Sequence, residues 1–71
     1  MLDERELSTY AAGAAAAIRV MGPTPRDAVL RMLRGLRLTE AEASAVISYA
    51  IVQGVLAEDA ERWVNAGAPK R

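Results

Sequence analysis

The side chains that carry most enzyme chemistry are scarce in this chain of 71 residues. It contains no His and no Cys, so it lacks the usual zinc ligands, the commonest general base and any means of forming a disulfide. Its carboxylates have neither a partner base nor metal-loop spacing; they include Asp3, Glu4, Glu6, Glu58, Asp59 and Glu61. The sequence therefore predicts a non-enzymatic protein with no catalytic residue, metal site, cofactor or small-molecule substrate.

The charged residues balance, with nine basic and nine acidic side chains. A strong, non-specific phosphate binder usually shows a basic excess, which is missing here. The basic residues that remain candidates for contacts with a nucleic acid or an acidic partner are Arg26, Arg31, Arg34, Arg37 and Arg62. A solvated helix face balanced by Asp27 would explain most of the same arginines.

A long amphipathic helix is predicted over residues 2–21, because apolar residues recur there at steps of three and four. The predicted buried stripe consists of Leu7, Tyr10, Ala14, Ile18 and Met21. The acidic start and Arg19 argue against a secretory signal or a membrane span, so we expect a cytoplasmic protein. The alanine run around Gly13 has two readings, a close-packed helix dimer seam or ordinary helix propensity.

A second helix is predicted to start at Thr24-Pro25, with Thr24 as its cap and Pro25 at its first position. Its predicted buried stripe is Val29, Met32, Leu33 and Leu36. Gly35 is expected to end the helix, and residues 36–38 are expected to form a turn. The third helix begins with the capping box Thr39-x-x-Glu42 and continues to about Gln53, before Gly54.

The segment that follows, residues 55–67, has two readings. Residues 55–57 and 62–65 fit two short strands, although the turn between them lacks Gly or Asn-Gly. Alternatively, Leu56, Ala60, Trp63 and Val64 fit a helical stripe. In both readings Trp63 is expected to close the core, and the alternative is that it anchors a partner.

Three helices followed by Gln53-Gly54-Val55-Leu56 and then Trp63 resemble the winged helix-turn-helix domain. The resemblance covers about residues 7–66 and implies a mainly α fold, with a three-helix core and a short C-terminal β-hairpin. The alternative is an all-α four-helix bundle. The family's usual role is DNA binding in transcription control, so the resemblance implies a DNA-binding regulator as one function.

The third helix favours a different partner. Its predicted core face is Ala43, Val46, Ile47, Ala50 and Ile51, and its outward face lacks the Arg, Lys and Asn that read bases. The outward face is small and apolar and consists of Ala41, Ala45, Ser48, Tyr49 and Val52. It is predicted to be a protein interface; the alternative is that the first helix or the C-terminal segment covers it within the monomer.

The sequence thus predicts a single small helical domain over residues 1–67, with a flexible tail over 68–71. A domain this small often gains stability by oligomerising, so we expect a homodimer or a complex with another protein. A regulatory role of the kind found in small phage or bacterial proteins fits this description. DNA is the disfavoured partner, and no membrane association is expected.

Overall fold

The computed structural model describes residues 2–67, so the predicted tail over 68–71 lies outside the described residues. The described chain contains three helices and three short strands in the order α1 (Glu4–Met21), β1 (Thr24–Pro25), α2 (Arg26–Arg34), α3 (Glu40–Val52), β2 (Leu56–Glu58) and β3 (Trp63–Ala66). The predicted mainly α fold with a short C-terminal hairpin is confirmed. The four-helix alternative is wrong, because the segment after α3 forms strands.

Helix α1 begins two residues later than predicted, at a capping box that was not predicted. Asp3 Oδ1 accepts a hydrogen bond from the Glu6 backbone N–H at 2.9 Å, and Glu6 Oε1 accepts one from the Asp3 N–H at 3.1 Å. The residues that α1 buries are Ala11, Ala14, Ala15 and Ile18. The predicted burial of Met21 is wrong, since this last residue of the helix is exposed.

The connection between α1 and α2 differs from the prediction. Thr24 does not cap α2; it lies in β1, and its hydroxyl donates to the Gly22 carbonyl oxygen at 2.9 Å. Helix α2 begins at Arg26, with Pro25 as a cap residue that makes no side-chain hydrogen bond. Strand β1 was missed because its hydrogen-bonding partner, β3, lies about 40 residues further along the chain.

Helix α2 buries Val29 and Leu33, as predicted. Leu36 lies beyond the end of the helix and is exposed, so its predicted place in the buried stripe is wrong. The chain reverses at Arg37, which has a positive φ of 71°, and this turn brings Leu38 into the core instead.

The sheet is antiparallel, with strand order β1-β3-β2. Gly54 adopts a φ of 78° after α3, as predicted for a glycine stop, and β2 follows it. In the hairpin turn, Asp59 Oδ1 accepts hydrogen bonds from the backbone N–H groups of Glu61 and Trp63 at 3.0 and 2.9 Å. This Asx-type turn reverses the chain without the Gly or Asn-Gly of the common two-residue hairpins.

The hairpin register places Val64 inside the protein and Trp63 outside. Adjacent residues in a strand point to opposite faces of the sheet, and Val64 is fully buried while Trp63 is 43% exposed. The prediction that Trp63 closes the core is therefore wrong. Apolar side chains from all three helices, from the turn before α3 and from the hairpin form the core. None of the buried residues between 2 and 67 is polar or charged.

Candidate interaction surface

Helix α3 is positioned by hydrogen bonds at its start and by apolar contacts along one side. Thr39 Oγ1 accepts from the Glu42 N–H at 3.1 Å, and Glu42 Oε1 accepts from the Thr39 N–H at 2.9 Å, which forms the predicted capping box. The buried residues of α3 are Ala43, Val46, Ile47 and Ala50, and Ile51 is half-buried. This burial fixes which side of α3 is left facing outward.

The five residues predicted to form a protein interface lie along that outward side. Ala41 and Ser48 are exposed, and Val52 is 80% exposed. Ala45 and Tyr49 are half-buried, and Tyr49 packs against the core cluster. The structure thus leaves a strip of small and apolar side chains accessible, and we call these five residues the α3 surface.

The α3 surface carries almost no charge. No Asp, Glu, Lys or Arg occurs between residues 43 and 57. The charges nearest in sequence are carboxylates, with Glu40 and Glu42 in the first turn and Glu58 at the end of β2. Chemically the surface offers van der Waals contact and the Ser48 hydroxyl.

The five predicted basic contact residues do not form one cluster. Arg31, Arg34 and Arg37 are exposed at the C-terminal end of α2 and in the turn that follows. Arg62 lies at the other end of α2, where its carbonyl oxygen accepts from the Arg26 N–H at 2.9 Å. A shallow cavity of about 310 Å³ lies between this part of the hairpin turn and α2, and Asp27 and Glu61 also line it.

Arg26 forms an ion pair with Glu58 that was not predicted. Its Nη1 lies 3.0 Å from Glu58 Oε1, and both side chains are mostly buried, with about a fifth of their surface exposed. The other oxygen of the carboxylate, Glu58 Oε2, is buried without a hydrogen-bond partner. Residues 32 positions apart meet here, so no local pattern in the sequence could have found the pair.

A second concave feature lies between α1 and α2. This groove has a volume of about 380 Å³, and Gly13 and Ala17 of α1 line it together with Met32 and Leu36. The only sequence signal for it was Gly13, a glycine within an alanine run. We call it the α1–α2 groove; it shares no residue with the α3 surface.

Within residues 2–67, no three carboxylates converge to form a place for a metal ion. None of the helices in this range is long and apolar enough to cross a membrane. The chain matched no protein-family model, and searches of curated proteins and of solved structures returned no similar chain.

Proposed function

We propose that this chain is a non-enzymatic binding domain that associates through the α3 surface, either with a second copy or with another protein. The observation that carries the proposal is the uncharged outward side of α3, on which Val52 is 80% exposed. Burying a valine side chain at an interface is favourable by roughly 1.5–3 kcal/mol. The small side chains of Ala41, Ala45 and Ser48 would let a partner backbone approach closely.

We also propose that the domain is of the winged helix-turn-helix type. Support comes from the features on which the resemblance was based, namely α3, the glycine that ends it and the hairpin that follows. In such a domain β2 and β3 would form the wing. Its turn contains the exposed Arg62 beside Asp59 and Glu61, so the tip of the wing has no basic excess for binding phosphates.

The test is the oligomeric state of two matched variants, measured by light scattering over a range of concentrations. Val52→Asp places a charge on the α3 surface and is expected to weaken the complex while the circular dichroism spectrum stays unchanged. Val20→Asp is the control, because it places the same charge at a valine that is 88% exposed on a different helix, α1.

Two outcomes would contradict the proposal. One is a protein that stays monomeric at high concentration and retrieves no partner from a lysate. The other is a complex that Val20→Asp disrupts and Val52→Asp leaves intact, since the contact would then lie on a different side of the molecule.

The second candidate function is DNA binding in transcription control. It is favoured by one observation, the exposed arginines Arg31, Arg34 and Arg37. This function predicts a mobility shift with duplex DNA whose affinity falls steeply as salt is raised. Arg31→Ala and Arg34→Ala should each weaken the shift, and absence of binding at low salt would eliminate the DNA-binding candidate.

A further inference from the structure

We draw no further inference here: the strongest candidate, the α1–α2 groove between Gly13 and Ala17 of α1 and Met32 and Leu36 of α2, is an apolar face whose lining holds no charged residue, and nothing in residues 2–67 shows what covers it.

Discussion

Replacing Gly13 with alanine should stabilise this protein, and replacing Gly22 with alanine should destabilise it. The two residues lie in or next to the same helix, and a Cβ atom at either position would meet no atom within 4 Å. Neither substitution therefore creates a clash. The difference between them is the backbone, because Gly13 is inside α1 while Gly22 has φ 87° and ψ −171°.

The magnitudes follow from that difference. Alanine is more favourable than glycine in a helix interior by about 0.8–1.0 kcal/mol, and exposure of Gly13 means that no tertiary contact is lost. In a domain of this size, 1 kcal/mol shifts the melting temperature by roughly 4–8 °C. The Gly22 conformation is one that essentially only glycine adopts, and forcing a side chain into it costs of the order of 1–3 kcal/mol.

The assay is thermal and urea unfolding followed by circular dichroism at two protein concentrations, so that any effect of association is recognised. Ala12→Gly is the reverse control, expected to lose about 1 kcal/mol at an exposed position of the same helix. A lower melting temperature for Gly13→Ala would refute the reasoning, since it would mean that the glycine is needed where the structure leaves open space. An unchanged melting temperature for Gly22→Ala would refute the assigned backbone conformation.

Three further substitutions test other parts of the structure by urea unfolding. Glu58→Gln should lower the free energy of unfolding by about 1–2 kcal/mol, less than the 3–5 kcal/mol for breaking a fully buried ion pair, because the Arg26–Glu58 pair is partly exposed. The control is Asp27→Asn at an exposed position. A loss below about 0.5 kcal/mol for Glu58→Gln would contradict the pairing. Ile47→Val should cost roughly 0.5–1.5 kcal/mol, because Ile47 is fully buried in α3, and a neutral result would show that this side of the helix is not core. Asp59→Ala removes the acceptor for two backbone N–H groups of the hairpin turn. It should lower the free energy of unfolding by about 1 kcal/mol and change the fluorescence of Trp63. Unchanged stability and fluorescence would argue against the turn.

The helices could be predicted largely from the sequence, because their signals are local. The capping box at Thr39 and Glu42 and the glycine at position 54 both use partners within a few residues. The same chemistry occurs at Asp3 and Glu6, whose capping hydrogen bonds also join residues three positions apart. These features need no knowledge of the remaining chain.

The candidate site could be predicted only in part. The outward side of α3 followed from helical periodicity, and the five residues predicted for it do lie along that side. The positions of the basic residues could not be predicted in the same way. Arg26 is paired with Glu58. Arg62 lies at the other end of α2 from the remaining three arginines. No spacing within α2 could indicate that separation, since it depends on where the hairpin packs.

The sequence alone largely determined where the helices form, because that depends on neighbours within about one helical turn. It also determined which chemically reactive residue types the protein has, because that depends only on composition. The tertiary structure decided the pairing of β1 with β3, the outward position of Trp63, the Arg26–Glu58 pair and the α1–α2 groove. Each of these joins residues far apart in the chain or depends on how elements pack together. Their geometry exists only once the strand register and the helix packing are in place.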